Sequence, residues 1–275
     1  MPELPETETI ARDLDRELSG SRVQNVTVRR SDVLREIGAR QLGKVLAGRT
    51  IRRCRRRAKL VVIELDDDAR VVVQPRFTGA LLIDKGALDE RERRYATVSF
   101  HLSDGRVLHY RDIRRLGTVS YMRPDRWTEY ERELGTEPLD ESFTDAHLSG
   151  ALRGSRQAVK KLLMDQRRIA GVGNIYANEA LWRAGIDPSR SGRSLRERDV
   201  AALRRSLQEV LREAIAARGT SFRDYRDASG ERGSFADALS VYGRGGQPCA
   251  RCGTRLVDTN AIDGRTTVFC PRCQS

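Results

Sequence analysis

The sequence predicts an α+β protein of several domains: an antiparallel β domain behind an N-terminal helix, then a helical domain, then a small metal-binding module. Three observations predict it. Between Val23 and Met122 the apolar residues come in short β-branched runs, and after Pro138 they recur at helical spacing. Four of the five cysteines fall in the last 27 residues as two Cys-x2-Cys pairs. A length of 275 residues is enough for about two domains of ~100–200 residues. With 39% hydrophobic and 33% charged residues, the chain reads as folded rather than disordered. No apolar run approaches the ~18–20 residues of a membrane span. Met1–Ile10 lacks the basic-then-apolar pattern of a secretory leader. The expectation is a cytoplasmic protein with no membrane contact.

Thr7–Leu18 carries Ile10, Leu14 and Leu18 at four-residue spacing and stops at Ser19-Gly20, which predicts one amphipathic helix. Strands are expected at Val23–Val28, Leu60–Leu65, Val71–Gln74, Ala80–Ile83, Thr97–Leu102 and Gly117–Met122. Turn residues such as Asp66-Asp67-Asp68 and Ser103-Asp104-Gly105 separate them. Many short strands without helices between them suggest an antiparallel sandwich or barrel. The strand signal ends at Arg123-Pro124-Asp125. Helices are then expected at Ala158–Met164, Asn174–Ala184 and Leu195–Ala217, the last with Val200, Leu203, Leu207, Val210 and Leu211 on one stripe. Gly219–Gly233 is polar and glycine-punctuated and reads as a mobile loop. The expected boundaries are residues 1–123, a linker at 124–138, a helical domain at 139–238 and the metal module at 239–275.

Fifty-one basic residues against 39 acidic ones leave a formal charge of +12, which favours a polyanionic partner. Of the cations 46 are arginines, whose forked guanidinium suits phosphate oxygens, although genomic base composition explains that ratio equally well. The pairs Cys249/Cys252 and Cys270/Cys273, separated by 17 residues, have the spacing of a tetrahedral four-cysteine zinc site. A disulfide reading needs an oxidising compartment, and nothing in the sequence points to one. One structural Zn2+ is expected, since four thiolates leave no open position for water. Cys54 stands alone and reads as an ordinary buried thiol.

Three further stretches could carry chemistry. Removal of Met1 before Pro2 would leave a secondary amine. At an α-amino pKa near ~8, roughly a tenth of it is unprotonated at neutral pH. Such an amine attacking a sugar C1′ gives a permanently cationic iminium, an electron sink for elimination. Glu3 beside it could shuttle protons. The competing reading is a frayed terminus. Ile169–Asn174 places Gly171 and Gly173 before a helix, with Asn174 as its N-cap. That arrangement suits phosphate but also fits a plain helix–helix turn. Arg52–Lys59 holds six cations in eight residues leading into Leu60-Val61-Val62, so it is either an anion-binding face or a solvated charge run.

Taken together these motifs resemble the formamidopyrimidine-DNA glycosylases of the helix-two-turn-helix superfamily, which also holds the endonuclease VIII-like enzymes. The family's Pro-Glu-Leu-Pro-Glu opening stands here as Pro2–Glu6 and its Arg-Arg-Ala-Lys entry as Arg56–Lys59. Its Gly-Val-Gly-Asn-Ile-Tyr-Ala signature stands as Gly171–Ala177, and its zinc hairpin as Cys249–Cys273. Asp165-Gln166 and Val241–Arg244 also fit. The resemblance implies a β-sandwich, a helix-two-turn-helix domain and a zinc finger, with double-stranded DNA carrying oxidised or abasic nucleotides in a basic cleft. It implies a bifunctional glycosylase and AP lyase acting as a monomer. Pro2 would be the nucleophile, Glu3 the acid/base, Glu6 a supporting carboxylate and Lys59 a lesion or phosphate contact. Asn174 and Arg265 would clamp phosphates beside a nucleotide flipped from the stack.

The sequence departs from the family in its wedge loops. The usual His-Leu-Gly-Met-Ser/Thr-Gly appears as Gln74-Pro75-Arg76-Phe77-Thr78-Gly79, with Phe77 in place of the methionine. The Arg-x-Phe wedge appears as Arg114-Arg115-Leu116, so the aromatic has moved between loops while Arg114 still matches the residue facing the orphaned base. Total wedge volume is thereby kept similar. The Pro-Glu-Leu-Pro start and the resemblance of Thr220–Gly233 to the loop that covers 8-oxoguanine favour oxidised purines over oxidised pyrimidines. A catalytically silent DNA-binding protein on the same scaffold is the reading that retention of Pro2, Glu3 and Lys59 argues against.

Overall fold

A computed structural model of the chain describes residues 2–221 and 226–275. The chain divides into two compact units, Met1–Arg132 with Ala217–Ala236, and Glu133–Ala216 with Asp237–Ser275.

In the first unit α1 (Leu4–Leu18) starts three residues before the expected Thr7. Glu3 is its N-cap and Glu6 its third residue, a capping box that satisfies backbone donors at the helix start. Pro5 sits in the first turn, where a missing N–H leaves nothing unpaired. The chain continues through β1 (Val23–Val28), β2 (Leu34–Arg35), α2 (Ala39–Leu46), β3 (Ile51–Arg57), β4 (Leu60–Leu65), β5 (Arg70–Gln74) and β6 (Gly79–Asp84). Then come α3 (Glu90–Arg94), β7 (Ala96–Leu102), β8 (Val107–Asp112), β9 (Thr118–Met122) and α4 (Pro124–Arg132). Two sheets form, ordered β1-β7-β8-β6 and β2-β9-β5-β4-β3. All pairs are antiparallel except the two-residue β2–β9 pair. One core joins Ile10, Leu14 and Leu18 of α1 to Val61, Ile63, Val71 and Val73 of one sheet and Val98, Phe100 and Leu108 of the other, which makes a sandwich. β8 alternates His109 and Arg111 with Leu108 and Tyr110, and that mixture hides it from hydrophobic pattern alone.

The stretch 124–138, expected as a linker, is structured throughout. Pro124–Arg132 is helical because Trp127, 2% exposed, packs down with the guanidinium groups of Arg55 and Arg70 at 5.3 and 5.5 Å over its ring. Residues 133–138 belong to the second unit, where Gly135 donates its N–H to Gln166 O at 2.8 Å and Ala170 donates to Thr136 O at 3.0 Å. Nor is the described part of Gly219–Gly233 a free loop. Asp227 is buried and accepts the N–H groups of Ser229 and Glu231, and Ala228 O accepts from Ile83 of β6. Phe222–Tyr225, part of the proposed base-covering stretch, lies outside the described residues.

The second unit holds α5 (Asp145–Leu152), α6 (Val159–Leu163), α7 (Asn174–Ala184) and α8 (Glu197–Ala216), then a hairpin of β10 (Val257–Thr259) and β11 (Thr267–Phe269). The expected stripe of α8 is buried, and α8 packs on α7 and α5. Thr144 caps α5 by accepting the His147 N–H. At its other end α7 closes on Gly185, whose φ of +71° needs no strain in a residue without Cβ.

Candidate functional site

Pro2, Glu3 and Glu6 are all buried at the start of α1. Glu6 spans two segments far apart in sequence. Its Oε2 accepts the Glu3 N–H at 2.8 Å and its Oε1 accepts the Thr220 N–H at 2.7 Å. The basic run lies against the same helix. Asp15 accepts the Cys54 N–H at 2.7 Å and Glu8 accepts from Arg56 Nε at 2.7 Å, so moving forward along β3 means moving back along α1. Ala58 and Lys59 therefore turn at the N-terminal end of α1. The turn joins the paired residues Arg57 and Leu60, and Ala58 takes a φ of +53°, the left-handed first position of a type II′ hairpin. Lys59 follows, 7% exposed. Much of the basic run is neutralised within the unit. Arg55 meets Glu64 at 2.6 Å, Arg57 meets Glu131 at 3.5 Å, and Arg52 pairs with Asp68. The arginines of β3 thus fasten α1 and α4 more than they present an open anion-binding groove. Burial, first, and the Asp15 carboxylate push the Cys54 thiol well above its ordinary range, so it is inert.

The two wedge loops are tied together at their base. The Thr78 hydroxyl donates to Asp112, and Thr78 Oγ1 accepts the Arg114 N–H at 3.0 Å. Asp112 also accepts the Gly117 N–H at 2.8 Å and the Tyr110 hydroxyl at 3.2 Å. Gly117 is required there, because a Cβ would fall 1.9 Å from the Tyr110 oxygen. Arg76 and Arg115 both adopt left-handed backbone at the loop tips. Above this base stand Phe77, Ile113 and Leu116, 48%, 41% and 39% exposed, with the Arg114 guanidinium 5.4 Å over the Phe77 ring. Exposed apolar side chains amid arginines are what insertion between base pairs requires. Sequence reasoning found Phe77, Arg114 and Leu116. It missed Ile113, which carries no signal until its neighbours are seen to be buried, and Asp112, whose hub role is tertiary.

In the second unit Gly173 is the N-cap of α7 and Asn174 its first residue, so the cap falls one residue earlier than expected. The Asn174 side chain is thereby released from capping and donates to Thr266 O at 3.0 Å, the residue after Arg265. Arg265 is exposed on the β10–β11 connection, next in sequence to the residue whose carbonyl Asn174 holds. Gly171 (φ +81°) donates its N–H to Gln166 Oε1 at 2.9 Å, and Gln166 donates to Val172 O at 2.8 Å. Gly171 therefore shapes the turn rather than offering an amide. Two buried residues that sequence reasoning passed over hold this end. Lys160, fully buried, donates to Thr267 Oγ1 at 2.7 Å and lies 3.4 Å from Asp263. Glu179 accepts the N–H groups of Ser240, Val241 and Tyr242 at 2.8–2.9 Å.

Cys249, Cys252, Cys270 and Cys273 converge with all four Sγ within 4.8 Å of one another. Tetrahedral zinc with Zn–S near ~2.3 Å needs sulfurs about 3.8 Å apart, so the set fits one ion. None of the five cysteines is bridged, which removes the disulfide alternative.

Residues 1–119 match the family model for the formamidopyrimidine-DNA glycosylase N-terminal domain, residues 134–226 that for the H2TH domain, and residues 246–275 the zinc finger found in FPG and IleRS. A formamidopyrimidine-DNA glycosylase of Desulfitobacterium hafniense is 39% identical, with 100% of both chains covered. The chain belongs to the formamidopyrimidine-DNA glycosylase family. Among solved structures, the wild-type Lactococcus lactis Fpg (MutM) complexed with DNA containing N7-benzyl-Fapy-dG has a TM-score of 0.91 at 33% identity, covering 100% of both chains. The Lactococcus lactis Fpg complexed with abasic-site DNA also has a TM-score of 0.91 at 33% identity, covering 99% of each. Among the described residues no helix is long and apolar enough to cross a membrane.

Proposed function

We propose that this chain is a base excision repair glycosylase with AP lyase activity that removes oxidised purines from double-stranded DNA, working as a monomer in a bacterial cytoplasm. The observation that carries the reading is the buried Pro2-Glu3 start of α1, locked by Glu6. Once Met1 is removed, the Pro2 nitrogen attacks C1′ of the flipped nucleotide. The glycosidic bond breaks, the damaged base leaves, and opening of the sugar ring yields an iminium. Glu3 protonates the ring oxygen and afterwards shuttles protons: loss of a C2′ proton expels the 3′ phosphate by β-elimination, and loss of a C4′ proton from the resulting conjugated iminium expels the 5′ phosphate by δ-elimination. Glu6 touches neither sugar nor base in this scheme; it fixes the backbone that carries both groups. Lys59, at the hairpin turn by the same helix end, meets lesion or phosphate. Phe77, Arg114 and Leu116 fill the vacated stack, while Asn174 and Arg265, together with the helix start behind Gly171 and Gly173, hold phosphates. The zinc ion would bridge the two cysteine pairs and supply folding energy rather than chemistry.

Borohydride reduction in the presence of abasic DNA tests this reading. The mature protein should give a covalent adduct, and Pro2→Gly should lose most of it. An adduct of equal yield in that variant, or active protein that still carries Met1, would overturn the assignment of Pro2.

A further inference from the structure

Arg218 occupies a conformation that its side chain does not favour. Its φ is +59°, in the left-handed region that a residue with a Cβ rarely adopts. The guanidinium lies between two carboxylates from different segments, Asp13 on α1 and Asp227, with Nε 3.1 Å from Asp227. Both acidic side chains are almost wholly buried, at 2% and 1% exposure, and Asp13 also meets Arg16 at 2.9 Å. Backbone strain that the surroundings hold in place is a pointer to function.

Immediately after Arg218 the backbone meets Glu6. Residues 217–219 are closed against 234–235 by hydrogen bonds from Ser234 to Ala217 O at 2.9 Å and from Phe235 to Gly219 O at 3.1 Å. A Cβ on Gly219 would lie 2.9 Å from Glu6 Cγ and Oε1, so the backbone here rests directly on that carboxylate. Thr220 then donates to Glu6 Oε1, while Glu6 Oε2 holds the Glu3 N–H. Glu6 and Asp13 are seven residues apart and share one face of α1, and this neck lies along that face.

We propose that Arg218 is a positioning residue: by clamping the neck to α1 it fixes Glu6, and through Glu6 the Pro2–Glu3 backbone. The inference rests on Pro2 being the nucleophile. Its test is the Arg218→Gly variant, which removes the clamp and relieves the backbone at the same time; urea unfolding checks that it is folded, and Arg218→Gly combined with Asp227→Asn removes the stranded carboxylate if it is not. Single-turnover excision from formamidopyrimidine duplex should fall about tenfold or more, because a displacement well under ~1 Å at a reacting group is costly. Affinity for a duplex bearing a tetrahydrofuran abasic analogue should stay within about twofold. In a Glu6→Gln background, Arg218→Gly should cost little more, since the two act in series. An unchanged rate, a loss of affinity matching the loss of rate, or full additivity with Glu6→Gln would each overturn the clamp. If the unaltered protein forms no borohydride adduct, the Pro2 reading falls and takes this inference with it. An adduct in that protein together with an unimpaired Arg218→Gly variant refutes the clamp alone.

Discussion

Replacing Lys160 by methionine tests how the end of the second unit that carries Asn174 and Arg265, proposed above to hold phosphates, is kept in place. Lys160 is fully buried and its Nζ reaches Thr267 Oγ1, Thr266 O and Asp263, whose side chain is 7% exposed. Methionine fills most of the volume but leaves Asp263 as a buried charge without its cation. Breaking a buried pair in this way costs about 3–5 kcal/mol. Asp263 keeps the Arg265 N–H at 3.1 Å, which argues for the lower end of that range. Loss of about 3 kcal/mol corresponds to a melting shift of the order of 10 °C for a domain of this size. Urea unfolding of the full chain measures it directly. The double variant Lys160→Met with Asp263→Asn should recover most of the loss, because no charge is left stranded. A loss below about 1 kcal/mol, or a double variant as unstable as the single, would show that this is not a working buried ion pair. Binding to a tetrahydrofuran duplex should weaken in parallel, since Thr266 O also receives the Asn174 side chain and adjoins Arg265.

Phe77→Met should blunt discrimination among the bases opposite the lesion by about two- to fivefold, as a stack worth ~0.5–1 kcal/mol on Arg114 is removed. Cleavage ratios on duplexes that differ only in that base measure it, and an unchanged ratio means the stack does not orient Arg114. Stripping zinc should abolish DNA binding by releasing the connection that carries Arg265; undiminished binding by protein proven metal-free would exclude that role. Burial, partly offset by Asp84, holds the His109 imidazole below its ordinary pKa. The unfolded chain therefore binds this proton more tightly than the folded one, so stability is full above about pH 6.5 and falls as pH drops from there towards the folded value. His109→Gln should flatten the change in urea midpoint between about pH 7 and 5, where a single proton contributes at most ~1.4 kcal/mol per pH unit. An equally steep slope in the variant would assign the dependence to other groups.

Local pattern revealed much of this architecture. The stripe of α8, the β-branched runs and the two cysteine pairs are consequences of neighbours in sequence, and they can be read there. What escaped notice depends on distant partners. Glu6 could be named as a supporting carboxylate, but its bond to Thr220 joins residues 214 apart. Lys160 and Glu179 look like ordinary surface charges until their burial is known. For Arg55 and Arg57 the choice between an anion-binding face and a solvated run stayed open, because Glu64 and Glu131, which neutralise them, lie on other elements. α4 was hidden because its one deeply buried residue, Trp127, leaves no periodic signal.

The interrupted path of the first unit has a consequence for synthesis. Its segment Ala217–Ala236 leaves the ribosome only after the 84 residues of Glu133–Ala216 have been made. At ~5–20 residues per second, that is a wait of roughly 4–17 s during which the nascent sandwich has no Thr220 to offer Glu6. A gene fragment ending at Arg132 would be caught permanently in that unfinished state, so the Pro2–Glu3 start proposed as the reaction centre cannot be excised and transplanted as a simple N-terminal cassette.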